Sequence, residues 1–326
     1  MKDEILKMLR EREGYVSGQQ LCETFGVSRT AVWKVIGQLK EEGYQVEAVR
    51  NRGYRIVDSP DIITKEEITS LLCTEWAGRY IVYYPETDST NIRAKTLGEE
   101  GAPHGTLAVA DMQSAGRGRR GRAWNSPAGG SIYMSLLLRP KLEPAKAPML
   151  TLVMALSAAE AIEECVGLPV QIKWPNDIVI NGKKIVGILT EMSTEVDYIN
   201  HVVIGVGINV NIGDFPSEIQ KTASSLCTEA GHPVKRAPII AAILKKFERY
   251  YEEFLDSGDL SSLQEAYNHM LVNCGREVRI LGEREEYTAK ALGINPAGEL
   301  LVCRKDGREE AIYAGEVSVR GVYGYV

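Results

Sequence analysis

Histidine occurs only four times in 326 residues, as His104, His201, His232 and His269, far apart and matching neither H-E-x-x-H nor a triad. That argues against a histidine-based metal or nucleophile mechanism. The six cysteines (Cys22, Cys73, Cys165, Cys227, Cys274, Cys303) include no C-x-x-C pair and no clustered ligand spacing. They read as scattered thiols of a reducing compartment. The start, Met1-Lys2-Asp3-Glu4, lacks the apolar stretch of a signal peptide. No apolar run approaches the roughly 18 residues that span a bilayer, so a cytoplasmic protein with no membrane partner is expected. No G-x-x-x-x-G-K-[ST] string occurs, so a nucleotide would not be held by a P-loop. A basic surplus is missing too: 38 Lys and Arg stand against 44 Asp and Glu, a net charge of −6. Contact with nucleic acid must therefore be local.

The composition that remains, 44% hydrophobic and 25% charged, is that of ordinary globular domains, and the length suits two or three of them. Residues 2–58 read as three helices and a hairpin. Leu6, Met8 and Leu9 mark the apolar stripe of the first helix, Ser17 starts the second, Gly26 breaks it, and Ser28 caps the third. In the third, Ala31, Val32, Val35, Ile36 and Leu39 recur at helical spacing and leave Arg29, Thr30, Trp33, Lys34 and Gln38 elsewhere on the helix. Short strands from Tyr44 to Val49 and from Tyr54 to Val57 flank Arg50-Asn51-Arg52-Gly53, with glycine expected at the tip. From Arg29 to Arg55 six basic residues outweigh three acidic ones, hence +3 within a −6 chain. This is the pattern of a winged helix-turn-helix, with Ser28, Arg29, Thr30, Trp33, Lys34, Arg50 and Arg52 as the candidate DNA-contacting residues.

Ser59-Pro60-Asp61 reads as a linker. Beyond it, strands are expected over 106–111, 131–138, 171–174, 178–180, 184–191 and 200–211, and helices over 145–165 and 238–255. Together they make an α+β domain on one mixed sheet. From Cys274 onward short strands separated by Gly282-Glu283, Asn295-Pro296-Ala297-Gly298 and Lys305-Asp306-Gly307 suggest a small β-barrel. The expected domains are 1–60, 61–272 and 273–326.

The most unusual segment is Gly116-Arg117-Gly118-Arg119-Arg120-Gly121-Arg122. Its four guanidinium groups repel one another unless an anion offsets the charge, and its glycines let backbone N–H groups face that anion. Arginine suits bidentate grip on carboxylate or phosphate. The string satisfies G-x-G-x-x-G, but Trp124-Asn125-Ser126-Pro127 and then a strand follow it where a dinucleotide fold needs a helix. Lys173-Trp174-Pro175-Asn176-Asp177 sets an amide and a carboxylate where proline interrupts a strand, and Lys183-Lys184, just after Asn181-Gly182, opens the next strand of an expected hairpin. Lys184 near Asp177 would supply the ingredients of a metal and phosphate site. Asp88-Ser89-Thr90-Asn91 reads either as a helix cap or as hydroxyls facing a small polar ring. Gly205-Val206-Gly207-Ile208-Asn209 is a weak glycine signal with an asparagine beside it.

These segments, in this order, resemble the biotin-protein ligases. The amino-terminal helix-turn-helix makes the chain similar to the bifunctional type that is also a biotin operon repressor. The resemblance implies three parts: winged helix-turn-helix, central α+β ligase domain, and a small SH3-like barrel ending at Gly315-Glu316-Val317-Ser318-Val319-Arg320. It implies formation of biotinyl-5′-AMP from biotin and Mg-ATP, followed by transfer to a lysine of a biotin carboxyl carrier domain. It further implies repression at operator DNA by a homodimer that the adenylate favours. By match to the family's motifs, Ser89, Thr90, Asn91 and Gln113 would hold biotin's ring, with Gly116, Arg117, Gly118, Arg119, Lys184, Gly187 and Gly205 along its tail and carboxylate. Arg119, Arg120, Arg122, Trp124, Asn176, Lys184, Gly207, Asn209 and Arg320 would serve the nucleotide, with Arg284 as a looser match. Lys184, Arg119 and Asp177 would be catalytic, and Asp177 and Asn209 the Mg²⁺ ligands. The arginine loop is expected to order over the adenylate. Two other readings remain open: a ligand-sensing DNA regulator without catalysis, and a lipoate-type ligase.

Overall fold

The structure, a computed structural model, describes residues 1–195, 198–281, 285–313, 318–321 and 325–326. It divides into two compact units, Met1–Cys73 with Lys235–Ala241, and Thr74–Val234 with Ala242–Val326. No helix among the described residues is long and apolar enough to cross a membrane.

In the first unit α1 (Lys2–Glu11) buries Ile5, Leu6 and Leu9. Met8, expected in that stripe, is only half-buried against the core. Helix α2 (Gly18–Phe25) begins where the Ser17 hydroxyl accepts from the Gln20 N–H, and it stops at Gly26, whose φ of 64° is left-handed. Helix α3 (Arg29–Glu41) is capped in the same way by Ser28, which accepts from the Ala31 N–H. It buries Val32, Val35, Ile36 and Leu39 and leaves Arg29, Thr30, Trp33 and Lys34 exposed, as the spacing required. Strands β1 (Gln45–Val49) and β2 (Gly53–Asp58) form the antiparallel wing.

The wing corrects one expectation. The residue in the middle of the loop is Asn51, left-handed at φ 63°, whereas Gly53, also at positive φ (114°), opens β2. A Cβ on Gly53 would stand 2.0 Å from the Val16 carbonyl oxygen, which pairs with Tyr54, so glycine is needed there for close approach. The Ser59-Pro60-Asp61 stretch is also more than a linker. Ser59 accepts from Arg10, and Asp61 pairs with Arg236 at 3.0 Å. Just beyond it, α4 (Lys65–Leu71) places Glu67 in a buried network. Arg10 donates to both Glu67 oxygens at 2.7 and 2.8 Å, and the Tyr44 hydroxyl donates to Oε2 at 2.5 Å.

The second unit is built on seven strands: β3 (Ile81–Thr87), β4 (Thr106–Gln113), β5 (Ser131–Leu138), β6 (Gln171–Lys173), β7 (Asp177–Ile180), β8 (Lys183–Thr194) and β9 (Ile199–Asn209). Their order is β3-β4-β5-β9-β8-β7-β6, with only β3 and β4 parallel, the mixed sheet that was expected. Between β3 and β4 lies α5 (Thr90–Glu99), and between β5 and β6 lies α6 (Leu150–Val166). The helix expected from 145 begins instead as a 3₁₀ turn over Pro144–Met149, because Pro148 has no N–H to donate and crowds an α-helical turn. Asn91 of α5 reaches Glu191 while Thr151 of α6 reaches Thr190. Successive strand residues face opposite ways, so the two helices cover opposite faces of the sheet. Helices α7 (Leu226–Ala230), α8 (Arg236–Ser257) and α9 (Gln264–Met270) follow.

At the carboxy-terminal end β10 (Glu277–Leu281), β11 (Glu286–Ile294), β12 (Leu300–Arg304), β13 (Glu309–Ile312) and β14 (Ser318–Gly321) form an antiparallel sheet in the order β13-β12-β11-β10-β14. Val278, Ile280, Ala291, Leu300, Val302 and Val319 fill its core. This is the small SH3-like unit that was expected, with turns at Asn295–Gly298 and Lys305–Gly307. Gly282, Glu283, Arg284, Gly315, Glu316 and Val317 lie outside the described residues.

Candidate active site

Strand register assembles the site. Lys173 stands opposite Asp177, Asp177 opposite Gly187, Gly187 opposite Gly207, and Gly207 opposite Tyr133. Residues directly opposite share a face, so one row across the sheet runs from a pair of charges over a glycine floor to a tyrosine. The neighbouring row is Leu189, Gly205 and Ser135. Ser135 lies within hydrogen-bonding reach of Thr90 and Asn91, so these rows are on the face that α5 covers. The loop between β4 and β5 closes over them.

One half of the site is neutral. The Thr90 N–H and hydroxyl donate to Gln113 Oε1 at 2.8 and 3.2 Å, and Gln113 Nε2 donates to Ser126 at 2.9 Å. Ser135 Oγ is 2.8 Å from Thr90 Oγ1 and 2.6 Å from Asn91 Oδ1. Asn91 donates in turn to Glu191 at 2.8 Å, and Lys95 pairs with Glu191 at 2.5 Å. Burial pushes the Glu191 carboxyl up, but the hydrogen bonds from Lys95 and Asn91 outweigh it and hold the group below the ordinary range. The cavity here is about 50 Å³, and Ser89, Thr90, Asn91, Gln113, Arg117 and Gly118 are among its lining residues. Ser89 is buried, and its hydroxyl makes no hydrogen bond among the described residues.

The glycine floor is used in a way the sequence did not reveal. A Cβ on either Gly187 or Gly207 would come within 2.7 Å of the Trp124 ring, so the indole lies directly across both. Its buried Nε1 has no hydrogen-bond partner among the described residues. Beside Gly205 the space holds the Asn91 amide, 2.0 Å from where a Cβ would stand.

The other half is charged. Lys184 Nζ is 2.5 Å from Asp177 Oδ1, as the hairpin of β7 and β8 was expected to allow. Asn176 donates to the same oxygen at 3.1 Å and accepts from Arg119 at 2.8 Å. The Tyr325 hydroxyl donates to Asp177 Oδ2, and Lys173 Nζ lies 4.0 Å from the centre of the Tyr325 ring. Burial pushes the Asp177 carboxyl up, yet the Lys184 and Lys173 charges hold it below the ordinary range, so it is ionised. Burial also lowers the Arg119 guanidinium, which Asp177 opposes and Arg120 reinforces. The cavity on this side is about 300 Å³, with Arg120, Arg122, Asn209, Phe215, Ile219 and Tyr325 among its walls.

The arginine loop is folded back on itself. Gly118 N–H donates to the Arg122 carbonyl at 2.7 Å, and Trp124 N–H to that of Gly116 at 2.9 Å. Arg119–Gly121 is a 3₁₀ turn with Arg120 left-handed at φ 57°, and no dinucleotide-type helix follows. Arg117, Arg120 and Arg122 are exposed.

The structure thus gathers Ser89, Thr90, Asn91, Gln113, Gly116, Arg117, Gly118, Arg119, Arg120, Arg122, Trp124, Asn176, Asp177, Lys184, Gly187, Gly205, Gly207 and Asn209 around the two cavities or within contact of their walls. Arg320 is in β14 opposite Arg279, but its side chain lies outside what is described, and so does Arg284. Sequence reasoning missed Tyr133, Ser135, Glu191, Phe215, Ile219 and Tyr325. A serine inside the apolar strand Ser131–Leu138 was the one available signal.

No cluster of three His, Cys, Asp or Glu side chains that could hold a metal occurs among the described residues. A single carboxylate, Asp177, with the neighbouring amides Asn176 and Asn209, fits Mg²⁺ that arrives on phosphate, since this ion takes few protein ligands and keeps phosphate and water oxygens.

The seven candidate DNA contacts belong to the first unit, and all are exposed, Trp33 at 71%. Arg52 stacks 4.6 Å from the centre of the Tyr15 ring, and Arg29 donates to Gln19 at 3.0 Å.

Known proteins share these features. The sequence model of the biotin/lipoate A/B protein ligase family matches residues 83–209, an HTH domain model matches residues 2–55, and a biotin protein ligase C terminal domain model matches residues 274–320. The chain is 43% identical over 309 residues to the bifunctional ligase/repressor BirA of Bacillus subtilis, covering 94% of each. It is 31% identical over 305 residues to the protein of the same name from Escherichia coli, 93% of this chain and 92% of that one. A biotin protein ligase from Aquifex aeolicus, solved in complex with biotin and ATP, matches with a TM-score of 0.66 and 33% identity over 74% of this chain and 99% of its own. The chain therefore belongs to the biotin/lipoate protein ligase family, among the biotin protein ligases of the bifunctional ligase/repressor kind.

Proposed function

We propose that this chain activates biotin with ATP and transfers it to a lysine of a biotin carboxyl carrier domain, and that its winged helix-turn-helix represses transcription at operator DNA. In the first step a biotin carboxylate oxygen attacks the α-phosphorus of ATP and pyrophosphate leaves. In the second, the carrier's neutral amine attacks the acyl carbon of biotinyl-5′-AMP and AMP leaves. Both steps gather negative charge at one place, which fixed cations stabilise when water is excluded.

One observation carries the reading: Lys184, paired with an ionised Asp177, stands at the edge of the glycine floor, where the neutral and charged halves meet. Ser89, Thr90, Asn91 and Gln113 form the wall for biotin's ring, and Gly116, Arg117, Gly118, Gly187 and Gly205 border its tail. Lys184 and Arg119 offset the charge of the reacting carboxylate and α-phosphate. Arg120, Arg122, Trp124, Asn176, Gly207, Asn209 and Arg320 serve the nucleotide. Mg²⁺ brought by the nucleotide would neutralise the phosphates, with Asp177 and Asn209 the residues beside it. Asp177 orients Lys184 and accepts a hydrogen bond from the incoming amine.

The arginine loop tightens over the adenylate, and that closure favours a homodimer whose paired α3 helices read a two-fold operator. Ser28, Arg29, Thr30, Trp33, Lys34, Arg50 and Arg52 make the DNA contacts. The domains are 1–60, 61–272 and 273–326, and the protein acts in the cytoplasm. Incubation with biotin, Mg-ATP and a carrier domain, followed by mass spectrometry, tests the activity. One lysine gaining a biotinyl group is the expected result, and an unmodified carrier beside a ligase known to be active on it would refute the reading.

A further inference from the structure

Asp177 is 8% exposed, and a carboxylate so buried needs donors on both oxygens. Oδ1 has Lys184 at 2.5 Å and Asn176 at 3.1 Å. Oδ2 has the hydroxyl of Tyr325, a residue 148 positions further along the chain and beyond the last strand of the carboxy-terminal sheet. The same tyrosine sets its ring against the ammonium of Lys173, which stands opposite Asp177 in the register of β6 and β7. One side chain from the far end of the chain thus touches both charges at the end of the row.

We propose that Tyr325 is a positioning residue for adenylate formation: its hydroxyl occupies Asp177 Oδ2 so that Lys184 is held by Oδ1 alone and stays over the glycine floor. The proposal rests on the ligase reading. Lys184 Nζ lies 3.2 Å from the point where a Gly187 side chain would begin and 5.3 Å from the centre of the Trp124 ring, on the side where the two cavities meet. Were Oδ2 left without its donor, the buried carboxylate would draw the nearest cation onto both oxygens. Lys184 would then sit deeper against Asp177 and further from a carboxylate and phosphate on the floor. Thr90 and Gln113 bond to each other and to Ser126 and Ser135 rather than to Asp177 or Lys184 among the described residues, so biotin recognition is left intact.

Full-length chains carrying Tyr325→Phe and Tyr325→Ala test it by biotin-dependent exchange of labelled pyrophosphate into ATP. Tyr325→Phe keeps the ring over Lys173 and loses only the hydroxyl. We expect its kcat for exchange to fall about tenfold, the effect of one hydrogen bond to a charged group, with KM for biotin unchanged. Equilibrium binding of biotin by that variant should match that of the wild-type chain, which shows that it is folded. Wild-type exchange by Tyr325→Phe would overturn the proposal, whatever Tyr325→Ala does. So would a matching loss of biotin affinity, because it would mark general damage. Absence of exchange in the wild-type chain would instead sink the ligase reading itself.

Discussion

The two halves of the site are built on opposite principles. Around Thr90, Asn91, Gln113, Ser126 and Ser135 the polar groups satisfy one another, every one neutral and most of them buried. Around Arg119, Lys173 and Lys184 three cations share the single carboxylate of Asp177, with three further arginines on the loop above. The neutral half carries no excess of charge and needs no ligand to offset one. The charged half carries an excess that a triphosphate or acyl phosphate would balance. On the proposed function, the first half recognises and the second does chemistry.

Substitutions can break this division, and the largest effect should come from the charged half. Lys184→Met should lower the rate of adenylate formation by about a hundredfold to a thousandfold, as loss of a charge aimed at the reacting centre does, with biotin binding little changed. Pyrophosphate exchange together with equilibrium binding of biotin measures both. Arg119→Gly should let the intermediate escape. Arg119 donates to Asn176 and lies partly buried between the two cavities, so its removal opens a path outward. Labelling of lysines on an unrelated protein, mixed with the variant, biotin and ATP, should rise about tenfold, the scale of one lost charge-assisted contact.

A change in the neutral half should act on recognition alone. Ser135→Ala removes the group that links Thr90 to Asn91, and KM for biotin should rise about fivefold to tenfold while kcat holds. An equal fall in kcat would mean that the halves are not separable. Smallest should be Lys34→Ala on the exposed face of α3. Operator affinity should weaken a few-fold, with the salt dependence of binding reduced by about one counterion, and biotinylation unaffected.

The same contrast governs what could be read from the sequence. The helix-turn-helix was legible because its signals are local: Ser17 and Ser28 as caps, Gly26 as the left-handed stop, and apolar residues at helical spacing in α3. The charged half was legible as strings, the arginine loop and Lys173 to Asp177, whose residues stay together when the chain folds. The hairpin that joins Asp177 to Lys184 was legible from Asn181-Gly182 between them. Ser135, Glu191 and Tyr325 were not, because they reach the site through strand register or from the last sheet, and neither is a local property. Gly187 and Gly207 were set beside the ligand by the resemblance, but not as the seat of Trp124, since the partner of a missing side chain is set by tertiary packing. The wing tip failed for a smaller reason. Asparagine is one of the few other residues that enter the left-handed region, and Gly53 was required where β2 begins.

On the proposed function, closure of the arginine loop joins the two halves, and hydrogen exchange over residues 116–122 should slow when biotin and ATP are added together. The most direct test of the whole account is retention. Purified chain incubated with biotin and Mg-ATP, then passed rapidly through a desalting column, should carry one biotinyl-5′-AMP per chain by mass spectrometry. Recovery of free biotin and intact ATP, with nothing held by the protein, would contradict it.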